Sequence, residues 1–145
     1  MRFSIVAVGR IKDQKLRHVV DEYKTRLGHY VGVREIEIED GSAEAVDALV
    51  SRHAKDDILV SLDSRGKELD SIAFSRFIDK LTQQGKGNVA FALGGKEGLG
   101  KVTVDRSAHV LSLSQMTLPH RLARLFLYEQ LYRAMTLLRG EPYGL

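Results

Sequence analysis

The run Leu111-Ser112-Leu113-Ser114-Gln115-Met116-Thr117-Leu118-Pro119-His120-Arg121, with the apolar stretch that follows it to Gly140, decides how this chain is read. A short strand, a polar loop and one sustained helix are expected there, in that order. The only two prolines, Pro119 and Pro142, bracket the helix. Proline suits a first helical turn, where its missing N–H would go unpaired anyway, and positions beyond a helix end. A loop between a strand and a helix N-terminus is where α/β proteins commonly bind anionic or nucleotide-like ligands.

Working back from that stretch, Phe3 to Val8 reads as a buried strand ended by Gly9. Lys12-Asp13 then opens a helix to about Leu27, with Leu16, Val19, Val20, Tyr23 and Leu27 at helical spacing and Gly28 as its cap. Val33 to Glu39 alternates apolar and charged residues, the period of a strand with one wet face near a sheet edge. Ser42 caps a helix to His53. Asp57 to Asp63 is a buried-strand run with Ser64-Arg65-Gly66-Lys67 as its turn. Asp70 or Ser71 opens a helix that ends near Gln84-Gly85. Asn88 to Leu93 is a further buried strand, stopped by Gly94-Gly95. Lys96 to Ser107 is loop-rich with room for a helical turn, and His109 to Leu113 is the last strand. Strands alternating with helices in this way indicate an α/β domain whose mainly parallel sheet is covered by helices.

The 145 residues make one domain, 1–145, long enough to bury a core. No apolar run approaches the roughly 18 residues of a membrane span. The N-terminal MRFSIVAVG has one basic residue and too short an apolar run for a signal peptide. With no cysteine, disulfides, thiolate metal sites and cysteine nucleophiles are excluded. A cytoplasmic protein without a membrane partner is expected. The net charge of +3 is compatible with a polyanionic partner but does not establish one.

Gly95-Lys96-Glu97-Gly98-Leu99-Gly100-Lys101-Val102 nearly spells a phosphate-binding P-loop after a buried strand. Val102 stands where a Ser or Thr hydroxyl would reach magnesium. Val102-Thr103-Val104 is also β-branched, poor material for the helix that should hold the phosphates. The alternative is a glycine loop that lets backbone approach a flat ligand closely.

LGGKEGL (Leu93 to Leu99), then LSLSQMTLPHRLARLFLYEQLYRA (Leu111 to Ala134) and a terminal GEPY closely resemble the SPOUT class of RNA methyltransferases. The likeness is to the type that methylates N3 of a pseudouridine in large-subunit ribosomal RNA. AVGR near the start, DEYKTRLGHY (Asp21 to Tyr30) and VSLDSRGK (Val60 to Lys67) extend it over essentially the whole chain. The resemblance implies a SPOUT-type α/β knot, with the C-terminal segment threaded as a trefoil knot that holds S-adenosylmethionine. It also implies a homodimer acting on ribosomal RNA or the assembled ribosome. Chains otherwise avoid knots, and periodicity alone indicates an open doubly wound sheet.

Carried over residue by residue, the cofactor pocket uses Leu62, Gly94, Gly95, Leu113, Ser114, Gln115, Met116, Thr117 and Leu118. Backbone groups there read adenine edges, while Leu62, Met116 and Leu118 offer apolar walls. The chain departs from the family at Lys96, where relatives often carry proline or a small residue. It departs again after Tyr143, where Gly144-Leu145 replaces a basic tail.

Methylating pseudouridine N3 requires an imide proton to leave. His120 beside the loop is the candidate base, because histidine titrates near neutrality. Tyr143 is the second candidate catalytic residue. Arg121 and Arg124, on one helix face, are candidates for RNA phosphate. Glu129 and Arg133, four apart, read as a structural ion pair. Apolar residues on both sides of this helix call for burial on both: one against the sheet, one against a partner subunit. A P-loop-like nucleotide hydrolase and a non-catalytic RNA-binding module are the alternatives.

Overall fold

The computed structural model describes residues 1–84 and 87–143. The expected helix end at Gly85 and the Gly144-Leu145 tail lie outside them. Five strands, β1 (Arg2–Val8), β2 (Gly32–Ile38), β3 (Ile58–Glu68), β4 (Val89–Leu93) and β5 (His109–Ser112), form one sheet in the order β2-β1-β4-β3-β5. Every pairing is parallel. The helices are α1 (Gln14–Leu27), α2 (Ala43–His53), α3 (Ser71–Gln83), α4 (Lys101–Arg106) and α5 (His120–Arg139).

The near-continuous apolar runs of β1 and β4 follow from burial on both faces. Phe3, Ile5 and Ala7 of β1, with Val89, Phe91 and Leu93 of β4, face α1, α3 and α5. The alternate residues Val6, Val8, Ala90 and Ala92 pack against Val46 and Val50 of α2. Asp13, Ser42 and Asp70 cap α1, α2 and α3 by accepting backbone N–H bonds. Gly140 closes α5 in the left-handed conformation. No described helix is long and apolar enough to cross a membrane.

Gly28 is the C-cap of α1, as expected, and donates to the Lys24 carbonyl from a right-handed conformation. Three expectations need correction. Residues 64–67, expected as a plain turn, lie within β3: Leu62 and Lys67 both stand opposite Leu111, and the intervening residues loop out of the ladder. Val102-Thr103-Val104 is helical despite its β-branched side chains. Asp47 compensates, accepting from Gly100 N–H at 2.9 Å, Val102 N–H at 3.2 Å and Thr103 Oγ1 at 2.6 Å. Finally, the charged face of β2 is wet only in part: Glu37 and Glu39 are exposed, Glu35 is not. Strand β2 is an edge strand, but the Glu35 side chain is only 5% exposed because α1 and α5 bring cations to it.

Candidate active site

The register of the sheet sets the site. Leu62 of β3 stands opposite Leu93 of β4 on one flank and Leu111 of β5 on the other. Strands β4 and β5 therefore end near the level at which β3 leaves its ladder, and the segments that follow converge, as ligand sites of open parallel sheets do. They enclose an open cleft of about 550 Å³, within the range of small-molecule sites.

Leu62, Gly94, Gly95 and the whole run from Leu113 to Leu118 line this cleft, so all nine residues expected around the cofactor come together. Gly95 and Gly98 pair across a tight turn, with Gly98 N–H donating to the Gly95 carbonyl at 3.0 Å. Opposite it, Ser112 Oγ donates to Ser114 O, and Met116 N–H donates to Ser114 Oγ at 2.9 Å, which fixes the bend of the polar loop. Leu62 supplies a buried apolar floor, whereas Met116 is 80% exposed at the rim and forms no wall in this chain. Asp63, which was not among the residues expected around the cofactor, also lines the cleft. Arg65 donates to it from Nε at 3.0 Å and Nη2 at 2.9 Å and holds its carboxyl below the usual carboxylate range. Its place one residue beyond Leu62, at a strand end, is the signal that could have found it.

His120 opens α5 at the mouth of the cleft and is exposed, as is Arg121 beside it. Arg124 is a correction. Expected on an RNA-facing surface, it is 1% exposed. Its guanidinium donates from Nη1 to Glu35 at 2.9 Å and to Glu37, and from Nη2 to the Gly9 carbonyl at 3.0 Å. Arg17 grips Glu35 from the other side at 2.6 Å. A cation so enclosed has no donor face for a phosphate. Burial of the Tyr128 ring among these groups, together with the nearby Glu35 charge, pushes its phenol well above the ordinary range.

Tyr143 is displaced from the expected site as well. It does not border the cleft of its own chain. Its hydroxyl donates to Glu129 at 2.8 Å and lies within hydrogen-bond distance of the Tyr23 hydroxyl at 3.2 Å, and its ring meets Tyr132 edge-on at 4.7 Å between centroids. Burial, with these hydrogen bonds, pushes the phenol up. Glu129 and Arg133 form the expected ion pair at 2.8 Å. On α5 the core side carries Leu127, Tyr128, Leu131 and Ala134, while Leu122, Phe126, Leu137 and Leu138 are partly exposed.

An all-parallel sheet with a loop-built cleft at its strand ends, and a helix starting from that cleft, is an α/β ligand-binding framework. The family described as "Predicted SPOUT methyltransferase" matches residues 1–144. A "Ribosomal RNA large subunit methyltransferase H" of Sorangium cellulosum (strain So ce56) is 48% identical over 144 residues, covering 99% of each chain. Its counterpart in Anaeromyxobacter sp. (strain Fw109-5) is 43% identical over 152 residues, again with 99% of each chain covered. Among solved structures, a tRNA (m1G37) methyltransferase from Aquifex aeolicus shares the fold. Its TM-score is 0.57 at 12% identity, covering all of this chain and 74% of that one. The chain belongs to the SPOUT methyltransferase family, as a ribosomal RNA large subunit methyltransferase of the H type.

Methyltransferases of this family use S-adenosylmethionine, and the cleft suits it. That molecule combines an adenine, a ribose diol, a cationic sulfonium and an amino acid end. The cleft offers backbone edges on two loops, the hydroxyls of Ser114 and Thr117, an apolar floor at Leu62, and the Asp63 and Glu97 carboxylates for positive charge.

Proposed function

We propose that this enzyme methylates N3 of a pseudouridine in large-subunit ribosomal RNA, on the assembled ribosome, as a cytoplasmic homodimer of a single domain. The observation that carries the reading is the convergence of Leu62, Gly94, Gly95 and Leu113 to Leu118 on one cleft, with His120 at its mouth. Leu62, Gly94, Gly95 and the 113–118 loop hold the donor.

When bound, S-adenosylmethionine supplies a methyl group on a positively charged sulfur, open to in-line displacement. The work of the chain is then to position the reactants and manage one proton. The two loops fix the donor. His120 accepts the N3 proton through an imidazole nitrogen as the N3–methyl bond forms, and releases it to solvent afterwards. Arg121, exposed one residue on, contacts an RNA phosphate.

The exposed apolar side chains of Leu122 and Phe126 on α5 supply a surface for the second copy. Tyr143 keeps a catalytic role only as a group delivered to the cleft of that copy, since its own is out of reach. The residues that loop out of β3 between Leu62 and Lys67, beside β5, support the family's threaded C-terminal segment. Calorimetry with S-adenosylmethionine tests the site. Binding should need no magnesium and should fall at least tenfold on substituting the 113–118 loop; ATP-dependent binding with magnesium would instead indicate a nucleotide hydrolase.

A further inference from the structure

Two residues of α5, one helical turn apart, meet the rest of the chain at Gly9. Arg124 donates from Nη2 to the Gly9 carbonyl at 3.0 Å and, more weakly, to that of Val8 at 3.4 Å. A Cβ built on Gly9 would stand 3.7 Å from His120 Nε2, so the imidazole lies beside this residue, about one methyl group's breadth away. Gly9 itself has φ +85°, and its N–H donates to the Ile38 carbonyl at 2.8 Å. It is thus held at both ends, through its N–H by β2 and through its carbonyl by Arg124. A methyl group here would only touch the imidazole; the positive φ, not lack of space, calls for glycine.

The energetics point the same way. Burying a guanidinium is costly, and an apolar side chain is often no worse for stability. Further along the same face, Leu127, Leu131 and Ala134 make the helix-to-sheet contact without any charge. Among the described residues the one buried cation is Arg124, in the first turns of α5 and four residues after His120. Its carboxylate partners, Glu35 and Glu37, are also gripped by Arg17 of α1, at 2.6 and 3.6 Å. Arg124 therefore connects α1, β2, the end of β1 and the first turns of α5 through a group with fixed planar geometry.

We propose that Arg124 is a positioning residue for methyl transfer: by fixing Gly9 and the first turns of α5, it presents the His120 imidazole at the cleft. The inference rests on the reading of His120 as the base. Arg124→Lys keeps the charge but cannot hold the carbonyl and the carboxylates together. Glu37→Gln, at a residue whose side chain is 32% exposed, loosens the same grip with little risk to folding and carries the test should Arg124→Lys fail to fold.

Both variants should lower kcat at least about tenfold, with the KM for ribosomes and the Kd for S-adenosylmethionine within about threefold of the parent. In a His120→Ala background each should cost less than about twofold more, because a positioning residue has nothing left to position. A loss by the same factor in both backgrounds would overturn the inference and leave His120 as the base. A kcat unchanged by His120→Ala alone would overturn the reading of His120, and this inference with it.

Discussion

The Asp47 carboxylate closes the N-terminus of α4 by accepting from Gly100 N–H at 2.9 Å. Its second oxygen takes Val102 N–H at 3.2 Å, and Thr103 Oγ1 donates to the first at 2.6 Å. In a P-loop the corresponding amides are left for phosphate; here the chain supplies its own anion. Asp47→Ala should therefore destabilise the fold by about 2 kcal/mol or more, since buried donors lose a charged acceptor. Urea denaturation measures this. ATP with magnesium should leave the thermal midpoint of the parent unchanged.

The acid limb of stability should depend on Glu35. Burial raises its pKa, but hydrogen bonds and charge from Arg17 and Arg124 outweigh that and hold the carboxyl below the usual range. In the unfolded chain a glutamate titrates at about 4.3. The contribution of this carboxylate is complete above that pH and is lost as pH falls through the lower folded value. Glu35→Gln should lower stability at pH 7 by about 3 kcal/mol, by leaving buried charge uncompensated. It should also flatten the decline in denaturation free energy between neutral and acid pH.

Gly94→Ala should damage the cleft itself. A Cβ there would lie 2.5 Å from the Gly98 carbonyl carbon and 2.7 Å from Leu99 N, both backbone atoms. The 95–98 turn must shift to make room. Affinity for S-adenosylmethionine should fall about tenfold or more, the scale of 1.4 kcal/mol, as read by calorimetry.

A homodimer in which Tyr143 acts on the partner's cleft makes a prediction about mixtures. His120→Ala and Tyr143→Phe should each slow methyl transfer. Unfolded together and refolded, they should regain activity above either alone, because one of the two sites in a mixed dimer would carry both side chains. No gain on mixing would remove Tyr143 from catalysis and leave it as the hydroxyl that binds Glu129 and Tyr23.

The sheet was legible because burial on both faces writes itself as apolar runs, in Phe3 to Val8 and Val89 to Leu93 alike. Helix starts were legible at Asp13, Ser42 and Asp70, whose side chains cap locally. Long-range pairing was not. Glu35 and Glu37 alternate with apolar residues as a wet strand face would, yet the cations that bury Glu35 come from α1 and α5, 18 and 89 residues away. Arg124 was misread for the same reason: spacing placed it near Arg121, but only the fold shows what it touches. Helix α4 defied its β-branched sequence because the capping carboxylate lies more than fifty residues upstream. The 113–118 loop was legible as a ligand position because it joins a strand to a helix N-terminus, whereas assigning S-adenosylmethionine to it took the family likeness.

The most direct test of the account is methyl transfer to ribosomes. Isotope-labelled S-adenosylmethionine and the purified enzyme are incubated with assembled ribosomes that lack the modification, and the ribosomal RNA is digested and read by mass spectrometry. One labelled methyl group per ribosome is expected, on N3 of a large-subunit pseudouridine, with a rate that falls about a hundredfold in His120→Ala. Tight cofactor binding with no label on any large-subunit pseudouridine would contradict it.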